Sequence, residues 1–112
     1  MSEDCDEPAE PAAMAALKAR ADRVALRLAL AANPRRLLIL CRLAEGDASV
    51  GDLQRHAGLG QSAVSQHLAK LRAAGIVAWR RDGQNVIYRL SDPEMAELMA
   101  ALYDVFCRED PS

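Results

Sequence analysis

A mainly helical chain with one β-hairpin near its end is what the sequence predicts, and three observations carry that reading. Hydrophobic residues make up 51% of the 112-residue chain, mostly Ala and Leu, while aromatics are only 4%, a balance that favours helices over strands. Apolar positions recur at spacings of three and four through most of the chain. The period then falls to two on either side of Asp82-Gly83 and returns to helical spacing after Asp92-Pro93. The length suits one domain.

Taken in order, residues 1–12 read as a disordered acidic tail, 13–108 as the folded domain and 109–112 as a short C-terminal tail. Met14, Leu17, Ala21, Val24, Leu28 and Ala31 form one apolar stripe, predicting a single long first helix suited to packing on a second subunit. In "NPRRLLILCRLAEG" Asn33 is the cap, Pro34 takes the first helical position and Gly46 follows the end. "SVGDLQRHAG" predicts a short third helix from Ser49 to the Gly58 stop. In "LGQSAVSQHLAKLRAAG", Val64, Leu68 and Leu71 share the inner face of a fourth, which Gly75 ends. "IVAWRR" and "QNVIYRL" read as strands flanking the Asp82-Gly83 turn. Met95, Leu98, Leu102 and Val105 line one side of a last helix, with Met99 and Phe106 beside them. Two short helices joined by a tight turn and followed by a hairpin describe a winged helix-turn-helix.

The net charge of −2 conceals a segregation. Residues 1–13 hold five acids and no base, whereas residues 53–91 hold six bases against the single acid Asp82. A basic segment in an acidic chain is the footprint of a nucleic-acid face; charge alone would equally suit a solvated surface. With the apolar positions turned to the core, Gln61, Ser62, Ser65, Gln66 and Lys70 point outward, and Arg80 and Arg81 lead into the hairpin. Hydroxyls and amides of this kind hydrogen-bond base edges and phosphates.

No apolar run reaches the ~18 residues of a membrane span. The start, "MSEDCDEPAEPAAM", has neither the basic nor the apolar region of a signal peptide. A cytoplasmic protein is expected, whose three cysteines are thiols and not a disulfide framework. No C-x-x-C motif, substrate cleft or general base suggests an enzyme, and no cofactor is expected.

"GLGQSAVSQHLAKLRAAGIVAWRRDGQNVIYRL" resembles the core of the ArsR/SmtB family of bacterial repressors. It has a similar S-x-x-S-x-H-L helix, L-x-x-A-G-I-V join and arginine-glycine wing ending in Y-x-L, and the resemblance covers about residues 14–107. It implies a homodimer built from the first and last helices and a double-stranded operator with an inverted repeat. An inducer would release the DNA. It also implies that Ser62, Ser65, Gln66 and His67 lie on the DNA-facing helix, although His67 reads equally as a partly buried structural histidine.

Many members of that family sense metals. Here Ser49 and Gly51 stand where the family's C-x-C segment would lie, and the last helix has Asp92, Glu94, Glu97 and Asp104 but no histidine. A zinc site usually needs about four N, S or O ligands, so none is expected; soft ions such as As(III) or Cu(I) remain an alternative for Cys41 and Cys107. Each of these cysteines alone is an ordinary small core residue. Together, one on the second helix and one near the end of the last, they resemble the persulfide-sensing branch of the family. That resemblance implies sensing thiols at Cys41 and Cys107, a persulfide or polysulfide inducer, and a sulfur-lengthened crosslink. Arg42 and Arg108, next to them, either lower the thiol pKa values or are plain surface arginines. Cys5, among carboxylates, reads as dispensable.

Overall fold

The computed structural model describes residues 11–108. Most of the expected acidic tail, Cys5 included, and residues 109–112 lie outside that range; Ala12 already begins a helix. The long first helix is in fact two, α1 (Ala12–Ala19) and α2 (Ala21–Ala31), parted where Arg20 leaves helical geometry at φ −116°, ψ 13°. Arg20 closes α1, its backbone N–H donating to Leu17 O and its guanidinium to Ala16 O. Every residue of α1 is exposed, so no packing among the described residues holds the two helices in line.

α3 (Pro34–Glu45) begins as its punctuation predicts: the Asn33 side chain accepts the N–H groups of Arg35 and Arg36, both at 3.0 Å. Next, Ala48–Ser49 form a two-residue strand, β1, too short to show alternation in sequence. Ser49 serves twice, since its hydroxyl and Asp52 also make the reciprocal cap of α4 (Val50–Ala57). Gly58, left-handed at φ 68°, ends α4 and turns the chain into α5 (Gln61–Ala73). The wing is β2 (Val77–Asp82) and β3 (Asn85–Leu90), and the sheet order is β1-β3-β2, antiparallel throughout. Asp82 pairs with Asn85, so the two-residue loop is Gly83-Gln84, one residue later than expected. Gly83, at φ 66°, supplies the left-handed conformation the loop requires. Asp92 then caps α6 (Pro93–Phe106) through Met95 N–H at 2.8 Å.

Ile39 and Leu40 of α3 sit at the centre of the core with Leu53, Val64, Leu68, Leu71, Ile76, Met95 and Met99. The apolar side predicted for the last helix is buried only in its first turns. Val105 and Phe106 are 67% and 78% exposed, because α6 runs past the core into solvent. Met14, Leu17 and Leu28 are about half exposed too. Two apolar surfaces, on α1–α2 and on the end of α6, therefore find no cover among the described residues. No helix among the described residues is long and apolar enough to cross a membrane.

Candidate nucleic-acid interface and thiol pair

The buried Val64, Leu68 and Leu71 anchor one face of α5 and orient the rest of the helix. Gln61, Ser62, Ser65, Gln66 and Lys70 are all exposed, as the pattern predicts. His67 is not grouped with them. It is half-buried, its Nδ1 lies 3.4 Å from Nη1 of the buried Arg36, and burial, then the charges of Arg36 and Lys70, pull its pKa down.

The wing is tied to the helices at two places. The Arg72 guanidinium of α5 lies over the Trp79 ring, 4.9 Å from its centre. Arg80 donates to Asp47 just before β1, at 2.7 Å. Arg81 and Arg89 are exposed, and their guanidinium groups form no hydrogen bond or ion pair among the described residues. The two predicted wing arginines thus differ: the Arg81 guanidinium is unpaired among the described residues, while that of Arg80 is held by Asp47. Gln54, Gln61, Gln84 and Asn85 line a cleft between the helix pair and the wing. Sequence reading reached only Gln61 of these. The other three are unremarkable polar residues whose convergence depends on the β1–β3 pairing.

Cys41, on α3, faces α6: its thiol donates to Met99 Sδ at 3.8 Å. It borders an open pocket lined also by Ala44, Glu45, Ala96, Ala100 and Tyr103. Cys107 is exposed at the C-terminal cap of α6, donating its N–H to Tyr103 O. The thiol pKa of Cys41 is raised, first by burial, then by negative charge on Cys107 and on Glu45. Of the two readings of Arg42, the surface arginine is the one that fits: its guanidinium donates to Gly46 O at the end of its own helix. Arg108 likewise folds back onto Asp104.

The carboxylates of the last helix are engaged as well. Asp92 holds Arg27 through two hydrogen bonds of 2.8 Å, and Glu94 pairs with Arg23 at 2.7 Å. Among the described residues, no three His, Cys, Asp or Glu side chains gather as a metal site would require.

A family model described as "Bacterial regulatory protein, arsR family" matches residues 33–78. The biofilm growth-associated repressor of Xylella fastidiosa is 42% identical over 94 residues, covering 84% of this chain and 82% of that protein. The crystal structure of that organism's transcriptional repressor BigR superposes with a TM-score of 0.80 at 41% identity, over 86% of this chain and 98% of BigR. HlyU of Vibrio cholerae, named a transcriptional activator, is 46% identical over 69% of this chain and 71% of its own. Its reduced structure gives a TM-score of 0.77 at 39% identity, over 83% and 98% of the two chains. A homodimeric winged helix-turn-helix DNA-binding domain of Mycobacterium bovis, Mb0332, gives 0.63 at 32% identity, over 88% and 89%. By its winged helix-turn-helix fold and by identity over most of its length, the chain belongs to the arsR family of bacterial transcriptional regulators.

Proposed function

We propose that the protein is a homodimeric repressor of an inverted-repeat operator, released when persulfide or polysulfide joins Cys41 to Cys107. The observation that carries the switch is the placement of the thiols. Cys41 of α3 touches α6 at Met99, and Cys107 ends that same helix. Repression is the role named for the Xylella relative, which matches more of this chain than the activator HlyU does. Dimerisation has support from Mb0332 and from the uncovered apolar surfaces of α1–α2 and α6. Gln61, Ser62, Ser65, Gln66 and Lys70 would meet the DNA groove, with Arg80 and Arg81 on the flanking phosphates.

The chemistry starts at Cys107, the exposed thiol. Its thiolate attacks the outer sulfur of a persulfide RSSH, giving Cys107–SSH and RSH. A second RSSH lengthens this to Cys107–SSSH and releases a second RSH. Cys41 attacks the first added sulfur, the one bonded directly to Cys107 Sγ, and the terminal sulfur leaves as hydrosulfide. The net change is two protein thiols and two RSSH to one trisulfide bridge, two RSH and H2S, with no external oxidant. Lengthening favours sulfane sulfur over peroxide for a geometric reason. Cys107 lies eight residues beyond Met99, about 12 Å along the helix axis. A direct disulfide needs Cα atoms within ~7 Å, and each inserted sulfur adds about 2 Å of reach, so the RSSH lengthening step repeats, each round releasing one more RSH, until the chain spans the gap.

The test is peptide-level mass spectrometry of the reduced full-length chain after glutathione persulfide, with hydrogen peroxide in parallel. A Cys41–Cys107 crosslink carrying added sulfur, formed only with persulfide, is expected. Cys41→Ser and Cys107→Ser should keep DNA binding and lose its release. Full response in either variant would sink the model. A second reading has one observation in its favour: the Cys41 thiol and Met99 thioether are two adjacent soft donors, suited to Cu(I). Tight Cu(I) or As(III) binding by the reduced protein with DNA release, and no persulfide crosslink, would establish it.

A further inference from the structure

Arg36 is a buried cation with no carboxylate partner among the described residues. Its Nε donates to Leu30 O at 2.6 Å and its Nη2 reaches Ala29 O at 3.5 Å. Both carbonyls belong to the last turn of α2, where the helix dipole is negative; Ala29 O also accepts the Ala32 N–H. The remaining contact, from Nη1, runs to His67 Nδ1 on α5. A guanidinium can only donate, so His67 Nδ1 must be the bare nitrogen and Nε2 must carry the proton. One side chain of α3 thus joins the end of α2 to the middle of the helix that faces DNA.

We infer that His67 is a positioning residue and not a reader of DNA: by accepting from Arg36 it holds α5 at a set place against α2 and α3. This rests on α5 being the DNA-facing helix. The alternative, in which His67 meets a phosphate, differs in the sign of its pH dependence. The charged groups that act on His67 are Arg36 from α3 and Lys70 from its own helix, both positive, while α2 presents backbone carbonyls to Arg36. Protonation puts a donor against a donor and adds a third positive charge. The neutral form is therefore the one that fits, and burial favours it too. The contribution is full above the ordinary value of 6.5 and is lost as pH falls through the lower folded value. A histidine on a phosphate would behave oppositely, since acid would strengthen its contact.

The experiment uses the reduced full-length protein in a His56→Asn background, which leaves His67 as the one histidine. The probe is the duplex that the wild-type protein selects from a random-sequence pool, with affinity read by fluorescence anisotropy. With His67 present, binding should weaken about tenfold between about pH 7.5 and about pH 5.5, the effect of one badly matched buried hydrogen bond. His67→Asn places an uncharged acceptor where Nδ1 lies. It should bind as tightly at the higher pH and lose the acid weakening attributable to His67. His67→Phe should bind about tenfold more weakly at the higher pH, yet select the same sequence. The unfolding midpoint without DNA should show the same acid sensitivity, reduced in His67→Asn. The inference is overturned if His67→Asn keeps the full acid loss, if it binds as poorly as His67→Phe, or if either variant selects a different sequence. Failure of the DNA-facing assignment registers separately, as undiminished affinity in a Ser65→Ala, Gln66→Ala double variant that leaves the Arg36 contact in place.

Discussion

Replacing Asp92 should cost more stability than any other single change at the surface joining α2 to α6. Its carboxylate has two tasks: it accepts Met95 N–H to cap α6, and it takes both Arg27 Nε and Nη2 at 2.8 Å. The side chains of Arg27 and Asp92 are only 15% and 13% exposed, so water does little to compensate for losing a partner. A hydrogen bond to a charged group contributes about 1.5–3 kcal/mol, and an N-cap about 1 kcal/mol. Asp92→Ala removes both and should cost about 3 kcal/mol. Asp92→Asn keeps the cap and one bond to Arg27 and should cost about half as much. Against a total stability of about 5–15 kcal/mol the larger loss is severe.

The dependence on pH follows from the same contacts. Hydrogen bonding from Arg27 leads the effects that hold the Asp92 carboxyl below its ordinary 3.8. Its contribution is therefore complete above that value and is lost as pH falls through the lower folded value. Urea unfolding at fixed protomer concentration, followed by circular dichroism and by fluorescence of Trp79, the single tryptophan, measures all of this. Arg27→Met should cost much less in the Asp92→Ala background than in the wild type, since the longer 3.6 Å pair with Glu94 is the carboxylate contact then left to Arg27. Equal costs for Asp92→Ala and Asp92→Asn, or a cost below about 1 kcal/mol for Asp92→Ala, would refute the reasoning.

Two further outcomes are expected. At neutral pH iodoacetamide should label exposed Cys107 well before Cys41. A thiol at the ordinary 9.0 is only about 1% thiolate at pH 7, and Cys41 is held above that value; labelling at equal rates, followed by peptide mass, would contradict the burial of Cys41. Asp47→Asn should release Arg80 from its ion pair and tighten DNA binding about twofold to fivefold at low salt, whereas Arg80→Ala should lower the salt slope by about one. Weaker binding in Asp47→Asn would mean that Asp47 orients Arg80 for its phosphate.

Local signals made most of this fold legible. Asn33-Pro34, Ser49, Gly58 and Asp92-Pro93 each act within a few residues, through caps and turns that the chain makes with itself, and each helix they bound lies where expected. What escaped depended on distant partners. β1 exists because Ala48 and Ser49 meet Tyr88 and Ile87, about forty residues on. The hairpin loop sits at Gly83-Gln84 because the register pairs Asp82 with Asn85, which the dipeptide Asp-Gly does not reveal. The break at Arg20 is invisible to a stripe that keeps its spacing across it. The site divides in the same way. Outward polar positions on α5 were readable from the buried face opposite them, but the Asp47–Arg80 and Arg36–His67 contacts join residues whose proximity no spacing encodes.

Two long-range contacts, Arg36 to His67 and Cys41 to Met99, start from α3. Arg36 and Cys41 are five residues apart, so they stand about 7.5 Å apart along the axis and about 140° apart around it. One reaches α5 and the end of α2, while the other meets α6. A helix loaded on two faces cannot slide towards one neighbour without straining its contact with another, because close packing leaves little slack. A Cys41–Cys107 bridge of the proposed kind would pull α3 towards the end of α6. The hydrogen bond it would strain at the other face is Arg36 to His67, whose length of 3.4 Å already lies beyond the usual range for such a bond. In that arrangement the contact joining α3 to the DNA-facing helix is the weak one, and the buried Arg36–Leu30 bond at 2.6 Å is the strong one. Movement of α3 would then carry the end of α2 with it and leave α5 behind, shifting the DNA-facing helix relative to the apolar surface of α2.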